Sequence, residues 1–157
     1  MRVSAKSEYA MLAAIDLAAA SEGEVRKGAE IAARQKVPIK FLEVILGDMR
    51  KAGLVQSQRG PDGGYRLTRE PSQISVADVM RAVDGPLADV HGNRPENLAY
   101  DGDSEPLATV WLALRSSIRS VLQEVSLADL VDDEIPESIV MMASGSDPDT
   151  AEGPAVS

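Results

Sequence analysis

The sequence predicts a mainly α-helical fold with one small β-hairpin, followed by a long amphipathic helix. Three observations carry that prediction. Apolar residues recur at helical spacing in several separate segments. A Pro-Asp-Gly-Gly turn at 61–64 lies between two short strand-like runs. From Leu107 to Val125 the apolar residues are spaced 4, 3, 4, 3, 4.

The stretch SAKSEYAMLAAIDLAAAS opens the chain as a helix. Tyr9, Leu12, Ile15 and Ala19 recur at helical spacing, and its alanines let a neighbouring helix come close. A short second helix is expected around Ala29–Arg34. Pro38 then breaks it, because the residue before a proline disfavours the α region. The third helix runs from about Ile39 to Ala52, with Leu42, Ile45, Leu46 and Met49 as its inward stripe and Gly53 as a stop. Leu54–Gln58 and Tyr65–Thr68 read as two strands. Between them Pro61 presets φ, while Gly63 and Gly64 can adopt positive φ. Ser75 and Asp78 resemble a capping box for a fourth helix. Residues 86–104 read as a loop, and a long helix follows with Ser104 as its cap and Pro106 in its first turn. Residues 126–135 can add a short helix. Residues 143–157 are rich in Ser, Gly, Pro and Asp, the composition of a disordered tail. The expected organisation is a first module over 1–85, a loop over 86–103, a long helix with a short following helix over 104–135, and a mostly disordered tail over 136–157.

Composition narrows the chemistry. The chain has 157 residues, no cysteine and one histidine, His91. Disulfides, thiolate metal sites and cysteine nucleophiles are excluded together. No apolar run approaches the ~18 residues of a membrane span and no signal peptide is expected, so the default is a soluble cytoplasmic protein. With one histidine, no cysteine and no paired acid–base motif, no catalytic residue is expected, and an enzyme is a poor reading. The net charge of -9 is unevenly spread: residues 1–69 hold 12 basic and 8 acidic side chains, residues 70–157 hold 4 and 17. Such asymmetry suggests a polyanionic partner for the front half; the alternative is that acidic linkers merely dominate the average.

The stretch RGPDGGYRLTR, residues 59–69, poses the sharper question of a phosphate-cradling loop. A P-loop needs GxxxxGK[ST] leading into a helix, and no Lys-Ser/Thr stands here. Lying between two strands, the stretch is a hairpin tip. Helix, tight turn, helix, hairpin is the order of a winged helix-turn-helix. In such a module the second helix of the pair presents its outer face to the major groove, where base edges are distinguishable. That face near the helix start carries Lys40, Glu43, Val44 and Gly47. Lys40 can reach a phosphate or guanine, Glu43 can accept from a cytosine amino group, and Val44 can touch a thymine methyl. Arg59, on a glycine hairpin, can enter a narrow minor groove. Tyr65 belongs to the core at the base of the wing.

Three stretches, MRVSAKSEYAMLAAIDLA, FLEVILGDMRKAGLVQSQRGPDGGYRLTR and ISVADVMRAVDGPL, resemble the Rrf2 family of bacterial transcription regulators, and together they cover most of residues 1–87. The resemblance implies a homodimeric winged-helix regulator. It implies that Glu43 and its neighbours read bases while Arg59 and the wing glycines enter the minor groove. The candidate DNA-binding set is Lys6, Ile39, Lys40, Glu43, Val44, Arg50, Arg59, Gly60, Gly63 and Gly64. Many members of that family hold an iron–sulfur cluster on three cysteines in the loop before the long helix. Here that loop, PLADVHGNRPENLAYDGDSE, has none. His91 with Asp89, Glu96, Asp101 and Asp103 could in principle hold a harder metal, but the reading is no metal and no cofactor.

Leu107, Trp111, Leu114, Ile118, Val121 and Val125 form the a/d seam of a short coiled coil, expected to be a dimer interface; the alternative is that they cover their own domain core. A dimer places two recognition helices about one helical turn of DNA apart. The expected function is a sequence-specific repressor that binds double-stranded, palindromic DNA as a homodimer, with a small-molecule or protein effector and no membrane. The alternative is an interaction protein that no longer binds DNA and docks a partner enzyme or senses a metabolite.

Overall fold

The computed structural model describes residues 2–145. Helix α1 (Ala5–Ala18) is the hub, packed against the other helices of the N-terminal module. Ser4 caps it, its hydroxyl oxygen accepting from the Ser7 backbone N–H at 2.9 Å. The face turned most fully inward is Ala10, Ala13, Ala14 and Leu17. The expected stripe of Tyr9, Leu12 and Ile15 instead flanks the core half-buried, and Ala19 is an exposed cap residue. Small side chains let neighbouring backbones approach, so the alanine face takes the crowded side and the larger residues fill its edges.

Helices α2 (Gly28–Gln35) and α3 (Ile39–Lys51) follow. The turn between them is tight, with Lys36 in the left-handed region at φ 55°. Leu42, Ile45, Leu46 and Met49 of α3 are fully buried, as their spacing predicts. Strands β1 (Val55–Gln58) and β2 (Gly64–Leu67) pair antiparallel, Val55 opposite Leu67 and Gln58 opposite Gly64. A third segment joins this wing: Arg26 and Tyr65 exchange both backbone hydrogen bonds, at 2.9 and 2.8 Å. The Tyr65 ring packs against the core, as expected.

Helix α4 (Val76–Asp84) starts in a complete capping box of Ser75 and Asp78. Residues 86–104 form a loop with two single-turn 3-10 segments. Helix α5 spans Leu107–Glu124; its cap position is Pro106, and Ser104 ends the preceding 3-10 turn instead of capping the helix. Helix α6 (Leu127–Val131) begins in a second capping box, Ser126 with Asp129. Its Leu127 is fully buried in the same core as α1. The Leu127 N–H donates to the Ile74 carbonyl and the Val76 N–H to the Val125 carbonyl, both at 2.9 Å. Thus α6 packs with the N-terminal module. Val125 is corrected too: it lies past the end of α5, buried by its own chain, and cannot extend the seam. A last helix, α7 (Glu137–Ser144), stands where a disordered tail was expected from 136 onward. The rest of that expected tail, 146–157, lies outside the described residues.

Candidate nucleic-acid interface

The amphipathic sequence of α3 fixes which side faces out. With Leu42, Ile45 and Met49 inward, Lys40, Glu43 and Val44 project to solvent, and Val44 is 54 % exposed. Ile39 is exposed at the first turn. A Cβ added at Gly47 would meet nothing within 4 Å, so the surface there is open. Pro38 precedes the helix and offers its first N–H groups no side-chain cap. Phe41 stacks edge-on against Tyr9 of α1, ring centroids 5.6 Å apart, which fixes the roll of α3 against the hub.

The wing carries Arg59 exposed at its tip. The turn over 60–63 closes with the Gly63 N–H donating to the Gly60 carbonyl at 3.0 Å. The glycines divide their work differently from expectation. Gly60 has φ 106° and open space around it. Gly63 and Gly64 do not take positive φ; they are needed because a Cβ has no room. At Gly63 it would lie 2.2 Å from the Gln58 carbonyl oxygen, and at Gly64 2.7 Å from the Arg26 backbone. Both are turned into the protein, so of the three glycines expected to meet DNA, Gly60 is the exposed one.

Two basic residues of the candidate set are engaged. Lys6 forms an ion pair with Asp48 of α3 at 2.6 Å, and that contact holds the Asp48 carboxyl below its ordinary range. The Arg50 guanidinium donates to the Ser57 hydroxyl at 3.3 Å, linking the end of α3 to β1. Lys6 therefore stands as a tether between α1 and α3, not as a free cation.

The sequence reading missed what orients these parts. Asp16 of α1 is 3 % exposed. It accepts from Arg34 at 2.8 and 2.9 Å, from Gln35 at 3.0 Å and from Arg26 at 3.0 Å, and Arg26 also donates to the Asp16 carbonyl at 2.6 Å. Burial opposes the charge, but the hydrogen bonds from Arg34, Gln35 and Arg26 outweigh it and hold the carboxyl far below its ordinary range. One carboxylate thus clamps the hub helix to α2 and to the strand segment that anchors the wing.

Comparison with known proteins points the same way. The family model described as Rrf2, iron-dependent transcriptional regulator, matches residues 3–133. The chain belongs to the Rrf2 family. A Mycobacterium tuberculosis (strain H37Rv) protein provisionally named an HTH-type transcriptional regulator is 47 % identical over 143 residues, covering 91 % of this chain and 89 % of that one. The HTH-type transcriptional regulator IscR of Aliivibrio salmonicida is 39 % identical, covering 87 % and 82 %. Among solved structures, CymR, the global cysteine regulator of B. subtilis, superposes with a TM-score of 0.71 at 30 % identity, covering 85 % and 98 %. Membership in Rrf2 makes the protein a winged-helix transcriptional regulator rather than an enzyme.

The iron named in the Rrf2 description meets a donor set that does not fit a thiolate-held cluster. The sequence has no cysteine. Among the described residues no three of His, Asp and Glu gather as metal ligands, and Asp89 of the loop is engaged by the Gly92 N–H at 2.9 Å.

Helix α5 of this Rrf2 protein has no buried residue. Leu114 and Ile118 line one cavity with Met80 and Asp84 of α4, and the Trp111 indole N–H donates to the Tyr100 hydroxyl at 3.0 Å. Leu107, Val110 and Leu114 remain 36, 55 and 48 % exposed in the single chain. Among the described residues no helix is long and apolar enough to cross a membrane.

Proposed function

We propose that this Rrf2 regulator binds a pseudo-palindromic operator as a homodimer, represses transcription from it in the cytoplasm, and does so without an iron–sulfur cluster. The observation that carries the reading is the outward face of α3, Lys40, Glu43 and Val44, on a module whose wing presents an exposed Arg59. Two copies joined along the exposed apolar stripe of α5 give the twofold symmetry that a palindrome matches. Occupancy of a promoter then excludes polymerase by simple overlap. The missing thiolates support operation without a cluster.

Glu43 and Arg59 act differently in this reading, which makes it testable. Glu43 puts negative charge on a helix facing a polyanion, an arrangement that is repulsive unless it accepts from a base donor such as a cytosine amino group. Glu43→Ala keeps affinity for random DNA and loses discrimination by about 1–3 kcal/mol at one base position per half-site. Arg59→Ala weakens binding to all sequences and lowers the salt slope by about one per subunit. Competition binding against single-base operator changes at two salt concentrations measures both. Wild-type discrimination in Glu43→Ala would overturn the recognition-helix assignment.

A further inference from the structure

The acidic half of the chain has only four basic side chains between residue 70 and the end: Arg81, Arg94, Arg115 and Arg119. All four line one open cavity of about 310 Å³, together with Pro86 and Leu87. They come from three elements, Arg81 from α4, Arg94 from the loop, and Arg115 and Arg119 from α5. Like charges repel, and a region holding 17 acidic residues offers many places to separate them. The local partners only partly neutralise the group. Arg115 is ion-paired with Glu96, and Arg81 lies 4.0 Å from Asp78. Among the described residues Arg94 and Arg119 have no carboxylate within 4.0 Å; Arg119 donates only to the Gln123 side-chain oxygen at 3.3 Å.

We propose that this cavity is a binding site for a small multivalent oxyanion, a polycarboxylate or a phosphorylated metabolite. The guanidinium fork matches planar carboxylate and phosphate oxygens in a bidentate way, and its charge does not titrate away. Guanidinium groups from three elements suit a ligand with two or more charged ends. The volume sits at the small end of metabolite sites. Glu96 occupies Arg115 as an internal stand-in for one ligand carboxylate. Binding there ties α4, the loop and α5 together.

The test uses the full-length protein without DNA, so its outcome does not depend on the operator reading. Isothermal titration with citrate and with pyrophosphate, against sodium chloride at matched ionic strength, reports the ligand class. Saturable binding of citrate alone assigns the site to polycarboxylates, of pyrophosphate alone to phosphorylated compounds, and of both to the shared charge. Arg94→Gln and Arg119→Gln each weaken that binding about tenfold or more, since each removes a charge-assisted hydrogen bond. Glu96→Gln tightens it by freeing Arg115, and Lys27→Gln, an exposed charge at the start of α2, leaves it unchanged. Circular dichroism of each variant checks the fold. Titrations indistinguishable from the chloride control, or binding unaltered in both arginine variants, overturn the proposal.

Discussion

Asp16 shows how much one side chain can carry. Its carboxylate is buried on the alanine face of α1 with two guanidinium groups and an amide around it. Removing one partner of a buried ion pair leaves the others uncompensated, and Asp16→Ala is expected to cost about 3 kcal/mol of stability in urea melts. The pH dependence has a definite sign. The folded-state carboxyl titrates below its ordinary value. Its contribution is therefore fully present above the unfolded carboxylate range, about pH 4, and fades as pH falls through the folded value. The stability gap between wild type and Asp16→Asn should hold steady near neutrality and narrow below about pH 4. A gap that stays constant down to acid unfolding would place the stabilisation elsewhere. The sequence left this residue unremarked for a physical reason. Its partners Arg26 and Arg34 lie 10 and 18 positions away, beyond any helical spacing that pattern reading tests. Lys40, Glu43 and Val44 were legible because their exposure follows directly from the inward stripe of their own helix.

At the scale of elements, local chemistry announced itself and distant approach did not. The hairpin was readable from Pro61 to Gly64 because a turn is made within four residues. The roles of its glycines were not, because the constraint on Gly64 comes from the Arg26 backbone, far away in sequence. The same division explains α5, whose helical periodicity was visible but whose start was displaced from Ser104 to Leu107 by a competing 3-10 turn. It also explains α7, whose short apolar run SIVMM was outweighed by the tail composition after it. The wing makes a comparison of like with like. Gly60→Ala meets no atom and bears only the left-handed strain, about 1–2 kcal/mol. Gly63→Ala forces a methyl against the Gln58 carbonyl, so the turn must open. Thermal melts should rank Gly63→Ala well below Gly60→Ala, with amide exchange at Tyr65 accelerated in the former. The reverse order would mean the strand packing is looser than the geometry states.

For the whole molecule, the proposed assembly rests on the exposed apolar stripe of α5. Leu114 is half exposed in the single chain, so a charge there costs the monomer little, whereas the same charge inside a two-copy seam is buried without a partner. Leu114→Glu should sediment as a folded monomer with native circular dichroism; a fully dimeric variant would assign the apolar stripe to the protein's own core. The backbone pairs Ile74–Leu127 and Val76–Val125, set beside two capping boxes, have a different consequence. They tie the foot of α4 to the start of α6, so that the loop after α4 and helix α5 leave the N-terminal module and return to it at a fixed point. A lobe tied at a fixed point is an interchangeable part. Doubling the length of a flexible connection costs only about 0.6 kcal/mol in closure entropy. Residues between Gly85 and Pro106 can therefore change length and chemistry, acquiring one kind of sensor or losing another, while the register of α6 and the pose of α3 stay where that tie puts them.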